Sequence, residues 1–352
     1  MKTFDLDKLV RKNIQELKPY SSARSEYSGT ASVFLDANEN SFGSPLPENF
    51  NRYPDPLQWQ LKQELAKIKG LPPQNIFIGN GSDEVIDLAF RIFCNPGKDS
   101  VIVCPPTYGM YGVSANINDV SIKRAMLTDD FQLNVDAVLN AADTNTKLLF
   151  ICSPNNPTGN DMNRVDIETL INNFAGLVII DEAYINYSRQ KSFIQELTEY
   201  ENLVVMQTLS KAWGLAALRL GLAFASEKVI DLFNKVKPPY NINKASQQLG
   251  IEALRSINHV NENIKITVVE RGILRNDLRQ FDFINKIYPS DSNFILIKTN
   301  NANNLYEYLS SKEIIVRNRS KELLCENCLR VTVGTPAENK ILIEALKNYN
   351  NE

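Results

Sequence analysis

Five short apolar runs end in polar or aromatic residues and alternate with stretches of helical periodicity, and this repetition limits the folds open to the chain. The runs are Ile76-Phe77-Ile78, Val101-Ile102-Val103-Cys104, Leu148-Leu149-Phe150-Ile151-Cys152, Leu177-Val178-Ile179-Ile180 and Leu203-Val204-Val205-Met206. Each is too short for a buried helix and too continuously apolar for a strand with one wet face, so each reads as an interior strand covered on both sides. Strands alternating with helices predict an α/β fold built on a mostly parallel sheet. In such a sheet, ligands bind outside the carboxyl ends of the strands. The residues that follow each run therefore carry the functional information.

After the first run come Gly79-Asn80-Gly81-Ser82-Asp83-Glu84, a glycine turn opening a helix. Such a turn either caps the helix, with Ser82 as N-cap and Asp83 favouring the dipole, or offers backbone N–H groups to a phosphate. It is no Walker loop and lacks the third glycine of a dinucleotide fingerprint, which weakens an NAD-type oxidoreductase reading. The second run leads to Pro105-Pro106-Thr107-Tyr108, where the aromatic side chain either stacks on a flat ring or packs on the next helix. The third ends in Ser153-Pro154-Asn155-Asn156-Pro157-Thr158-Gly159 and the fourth in Asp181-Glu182-Ala183-Tyr184. The fifth ends in Thr208-Leu209-Ser210-Lys211, with Arg219 a short way on.

A lysine leaving a core strand is either a surface residue opening a helix or an amine whose charge is removed by covalent chemistry, as in a Schiff base with pyridoxal phosphate (PLP). The companions suit the second reading. A dry carboxylate at Asp181 would keep a pyridine nitrogen protonated. Asn156 and Tyr184 would hydrogen-bond the ring oxygen, and Tyr108 would stack on the ring. Ser82, Asp83, Thr208, Ser210 and Arg219 would hold the phosphate. A freed Lys211 amine would then carry the proton at the reacting carbon.

Other classes fit less well. The 352 residues carry 38 basic and 41 acidic side chains, a formal charge of −3, without a basic stripe, so nucleic acid is not an expected partner. With 43% apolar residues the chain can bury a full core, and neither a signal peptide nor a membrane span is expected, which points to the cytoplasm. The five cysteines are odd in number and read as reduced thiols; Cys325 and Cys328 have the spacing of a zinc or redox pair but lack a second pair, so no metal site is expected. The single histidine, His259, has no nucleophile motif beside it, which leaves a Ser-His-Asp hydrolase without a base.

Asn-Asn-Pro-Thr-Gly at 155–159, Asp-Glu-Ala-Tyr at 181–184, Ser-Lys-Ala-Trp-Gly-Leu-Ala-Ala-Leu-Arg-Leu-Gly at 210–221 and Leu-Arg-Val-Thr-Val-Gly-Thr at 329–335 resemble the PLP-dependent aminotransferases related to aspartate aminotransferase. Within that family, Lys-Pro-Tyr at 18–20, Ala-Asn-Glu at 37–39, Arg-Tyr-Pro-Asp-Pro at 52–56 and Pro-Pro-Thr-Tyr-Gly-Met-Tyr at 105–111 resemble the subgroup acting on histidinol phosphate. The resemblance covers nearly the whole chain. It implies a fold-type-I homodimer with a large PLP-binding domain at 46–255, a small α+β domain at 256–352 and an N-terminal arm at 1–45 that joins the small domain. It further implies amino transfer between L-histidinol phosphate and 2-oxoglutarate, yielding imidazole acetol phosphate and L-glutamate, in histidine biosynthesis. Tyr53 would reach the cofactor phosphate of the neighbouring subunit; Arg317, Arg330 and Tyr20 would hold the substrate phosphate, and Asn38 would face the substrate. Alternatives within the same chemistry are an aromatic aminotransferase and a threonine-phosphate decarboxylase. A binding protein that keeps the fold without turnover would be expected to lack Lys211 or Asp181.

Overall fold

The structure, a computed structural model, describes residues 4–20, 31–46 and 48–349. All five apolar runs become strands of one seven-stranded sheet: β1 (Ile76–Asn80), β2 (Ser100–Val103), β3 (Ser121–Arg124), β4 (Thr146–Cys152), β5 (Leu177–Asp181), β6 (Leu203–Thr208) and β7 (Leu220–Phe224), in the order β1-β7-β6-β5-β4-β2-β3. Neighbours from β3 to β6 pair in parallel, whereas β7 runs antiparallel to both β6 and β1. The carboxyl ends of β1, β2, β4, β5 and β6 thus share an edge with the amino end of β7.

Alternate residues along each strand feed separate cores on the two faces. Leu149, Ile151, Val178, Ile180 and Val205 belong to one cluster; Leu148, Phe150, Ile179, Val204 and Met206 belong to the other. This is the period of 2 of a pleated strand, with both faces apolar because helices cover both. The helix Ser82–Phe93, buried at Val85, Ile86, Ala89, Phe90 and Phe93, covers one face, and Trp59–Lys69 packs on the other through Leu61 and Leu65.

A second, antiparallel sheet follows: β8 (Ile284–Ile287), β9 (Phe294–Thr299), β10 (Arg317–Asn318) and β11 (Cys328–Thr332), in the order β10-β11-β9-β8. It shares a third core with the helices Ile257–Leu278, Ala302–Ser311 and Pro336–Lys347 through Leu274, Leu278, Leu305, Leu309, Leu342 and Leu346.

Near the start of the chain, Leu6–Leu9 and Lys12–Gln15 form two single helical turns, separated by the extended Val10. Gly81, not Ser82, is the N-cap of its helix, with φ of 77°. That conformation lets Gly81 N–H reach the carbonyl of Arg219 at 2.7 Å, and it suits glycine. After the helix Ala302–Ser311, Ile314 N–H returns to Leu309 O, and the sheet is joined only at Arg317–Asn318.

Candidate active site

A cavity of about 360 Å³ opens at the shared sheet edge. It collects Ser82 and Asp83 after β1, Tyr108 after β2, Asn156 after β4, Asp181 and Tyr184 after β5, and Thr208, Ser210 and Lys211 after β6. Arg219 arrives from the opposite direction, as the residue before the reversed strand β7. Arg317 and Arg330 close the far wall from the second sheet. Side chains separated by up to 248 residues of sequence therefore line one space.

Asp181 is the electrostatic centre of the buried side. It is 3% exposed, and its Oδ2 accepts a 2.6 Å hydrogen bond from the hydroxyl of Tyr111 while Oδ1 accepts from Ala183 N–H at 3.0 Å. Burial raises its pKa to about 6, against the opposing pull of the Tyr111 hydroxyl, the Ala183 N–H and Lys211. Tyr111 is fully buried and stacks on Phe150 with ring centroids 4.6 Å apart. The sequence reading missed it as a site residue. The available signal was its position three residues after Tyr108, close to that residue on the same turn, where the two rings now meet edge to face at 5.6 Å.

Lys211 has its pKa lowered, first by burial and then by the Arg330 charge, so less is needed to free its amine. Its Nζ lies 5.8 Å from the centroid of Tyr184, whose hydroxyl pKa burial raises, keeping it a neutral donor. Asn156 Oδ1 accepts from Arg330 Nη1 at 2.5 Å, a contact that joins the sheet edge to the far wall.

The other end of the cavity is built for an anion. The helix beginning at Ser82 points its amino terminus inward behind Gly81, and Arg219 Nη2 stands 3.5 Å from Asp83 Oδ2. A side chain at Gly81 would collide with the Arg219 guanidinium, so glycine keeps that approach open. Thr208 and Ser210 hydroxyls lie 3.0 Å apart, with Ser210 N–H donating to Thr208 Oγ1 at 3.1 Å. Arg219 itself has φ of 54°, a left-handed conformation that costs a non-glycine residue energy. Asp83 also accepts from the Tyr108 hydroxyl at 3.2 Å, fixing the ring over the cavity.

Four further residues reach the cavity without having been singled out as site residues from sequence: Ala183, Ala216, Cys152 at the end of β4, and Arg319. Three that were singled out do not line it. Tyr20 is 76% exposed and Tyr53 51% exposed, and Asn38 and Tyr53 border a separate depression that includes Tyr240 and Lys244. Tyr53 stacks on Tyr240 at 4.5 Å, and the Arg52 guanidinium is tied to Glu39 at 2.7 Å. Among the described residues, no group of three or more His, Cys, Asp or Glu side chains is arranged to hold a metal ion, and all five cysteines are buried free thiols.

Comparison with known proteins follows the same lines. The family model for aminotransferase class I and II matches residues 31–346. The chain is 52% identical to a histidinol-phosphate aminotransferase of Cytophaga hutchinsonii, over 98% of this chain and 99% of that one. It is 54% identical to one from Bacteroides fragilis, over 99% and 100%. In three dimensions it resembles the Sinorhizobium meliloti histidinol-phosphate aminotransferase solved with pyridoxal-5'-phosphate, with TM-score 0.78, 22% identity and 88% and 90% of the two chains covered. A threonine-O-3-phosphate decarboxylase of Porphyromonas gingivalis shares the fold with TM-score 0.69, 24% identity and 85% and 90% coverage. The family model and the full-length similarity show that the chain belongs to the class I and II aminotransferases, in the histidinol-phosphate aminotransferase branch.

Proposed function

We propose that the protein is a PLP-dependent transaminase that moves an amino group between L-histidinol phosphate and 2-oxoglutarate, in histidine biosynthesis. The observation that carries this reading is the meeting of Lys211, Asp181 and Arg219, from three different strand ends, in one cavity walled on its far side by arginines. Relatives more than 50% identical over almost their whole length bear the same activity in their names, which favours it over the aromatic aminotransferase and decarboxylase alternatives.

The donor set fits the cofactor. Lys211 supplies an amine for its aldehyde, Asp181 a buried carboxylate for its ring nitrogen, and Asn156 and Tyr184 donors for its ring oxygen. Tyr108 supplies an aromatic face. Ser82, the N–H groups near Asp83, Thr208, Ser210 and Arg219 answer its phosphate. When bound, PLP supplies an electron sink for the carbon that loses its proton.

The protein's part is positional. Asp181 holds a proton at the ring nitrogen from a dry site. Lys211 Nζ would take and return the proton at the carbon bearing the amino group. Arg330, steadied on Asn156 Oδ1, orients the substrate's anionic end, so the scissile C–H faces the lysine. Arg317 adds charge at the same end.

We propose a large PLP-binding domain at 46–255 and a smaller unit at 256–352; the arm at 1–45, expected to join the smaller unit, instead packs Leu9, Val10 and Ile14 into the core of the large sheet. We infer a homodimer with a shared site. Large apolar side chains of the arm stand in solvent, among them Val33 at 68%, Leu35 at 83% and Phe42 at 101% exposure, and a second copy would cover them. In that arrangement Tyr53 reaches the partner's cofactor phosphate, and Tyr20 and Asn38 the partner's substrate. Mixing Lys211→Ala with Tyr53→Phe subunits tests this: activity above that of either variant alone supports a shared site, and a simple average of the two opposes it. Cytoplasmic residence agrees with the biosynthetic role; among the described residues no helix is long and apolar enough to cross a membrane.

A kinetic comparison of histidinol phosphate with phenylalanine, tyrosine and threonine phosphate tests the substrate. Histidinol phosphate is expected to have the highest kcat/KM, and a preference for any other would overturn the assignment.

A further inference from the structure

Arg317 on β10 lies directly opposite Arg330 on β11. Like charges facing each other across a strand pair are destabilising, so the fold tolerates a repulsion here that an anion would relieve. Arg319 continues the extended run, and at two residues beyond Arg317 it falls on the same side. All three guanidiniums line the cavity that holds Lys211. Of the two on the run, Arg319 is set deeper: its side chain is 19% exposed, whereas Arg317 is an exposed residue.

Counter-charge at this wall is thin. Glu322 Oε1 stands 3.5 Å from Arg319 Nη1, and among the described residues no other carboxylate comes within ion-pairing distance of Arg317, Arg319 or Arg330. The Nε atoms of both Arg319 and Arg330 are buried without a hydrogen-bond partner among the described residues. Such donors are costly to leave unmade. Burial lowers the pKa of both groups, and the neighbouring arginines push in the same direction.

We propose that Arg319 is a specificity-determining residue: with Arg317 and Arg330 it forms a three-arginine pocket matched to a dianionic phosphoryl group, and it favours the phosphate-ester donor over the dicarboxylate partner substrate. This rests on the transaminase reading above. A carboxylate carries one charge and is satisfied by one bidentate guanidinium, which Arg330 provides. A phosphate monoester carries up to two charges and three acceptor oxygens, enough to engage a third donor. Position 319 therefore separates the two half-reactions in a way that Arg330 does not.

The test uses the PLP-loaded enzyme and the variants Arg319→Gln and Arg319→Lys. For Arg319→Gln, the ratio of kcat/KM for histidinol phosphate to that for glutamate is expected to fall tenfold or more. Inorganic phosphate, as a competitive inhibitor, is expected to weaken by a similar factor. Arg319→Lys keeps the charge without the fork and is expected to recover only part of the ratio. An unchanged ratio, or equal loss on both substrates, overturns the proposal. Visible absorbance of the bound cofactor and the melting temperature report folding; if Arg319→Gln fails there, the ratio in Arg319→Lys decides. Wild-type enzyme that does not prefer histidinol phosphate to histidinol would instead sink the phosphate-ester substrate reading itself. A normal wild-type preference with a silent position 319 would sink only this proposal.

Discussion

Replacing Tyr111 by phenylalanine isolates one hydrogen bond at the heart of the site. The variant keeps the ring that stacks on Phe150 and removes only the hydroxyl that donates to Asp181 Oδ2 at 2.6 Å. A buried bond to a charged acceptor contributes roughly 1.5–3 kcal/mol, and at 1.36 kcal/mol per pKa unit its loss raises the Asp181 pKa by about 1–2. The sign is upward because the hydroxyl stabilises the ionised form. Asp181 already titrates near 6 through burial, so in the variant it is largely neutral at pH 7 and holds a ring-nitrogen proton poorly. We expect kcat at pH 7 to fall about ten- to a hundredfold, and the acid limb of the kcat–pH profile to move upward, with activity recovering toward alkaline pH. The assay is kcat against pH for the PLP-loaded enzyme, with a melting curve to show that the core is intact. A variant with wild-type kcat and an unmoved acid limb would refute the idea that this hydroxyl sets the aspartate's charge.

Lys211→Ala is expected to lose turnover by several orders of magnitude and to change the visible absorbance of PLP-loaded protein; an unchanged spectrum would count against covalent attachment at Lys211. Gly221→Ala should raise the Kd for PLP tenfold or more in a spectroscopic titration, because a Cβ there would overlap the backbone of Gly81 and Ser82, whereas wild-type binding and melting would contradict the packing argument. Asp161 has its pKa raised from 3.8 to about 6, chiefly by burial, with Ser188 opposing and Asp291 adding repulsion. The folded state therefore binds more protons between those values, and the residue's contribution to stability is full below about pH 4 and lost as pH rises through about 6. Asp161→Asn should flatten the decline in melting temperature between pH 4.5 and 7.5, and an identical slope would oppose this assignment.

The strands that carry the site were legible because they are interior: burial on both faces leaves no room for polar residues, so β4, β5 and β6 stand out as apolar runs whose ends are sharply defined. Lys211, Asp181 and Asn156 were readable for the same reason, as polar residues placed just where a dry strand stops. Arg319 was not, since it follows an edge run of only two paired residues with no apolar pattern to phase it. Tyr111 was hidden because a buried tyrosine near an aromatic cluster looks like core, and only its partner across 70 residues reveals the difference. That Gly81 rather than Ser82 is the N-cap was not legible, because the left-handed turn at Gly81 comes with a hydrogen bond to Arg219 O, a partner far away in sequence.

The reversed direction of β7 has a mechanical consequence. Because β6 and β7 are adjacent legs of one antiparallel pair, with Thr208 opposite Gly221, Lys211 and Arg219 leave from neighbouring strand ends. Their spacing is fixed by rungs of main-chain hydrogen bonds, so any flexing of the two halves of the molecule would carry amine and guanidinium along as one rigid caliper.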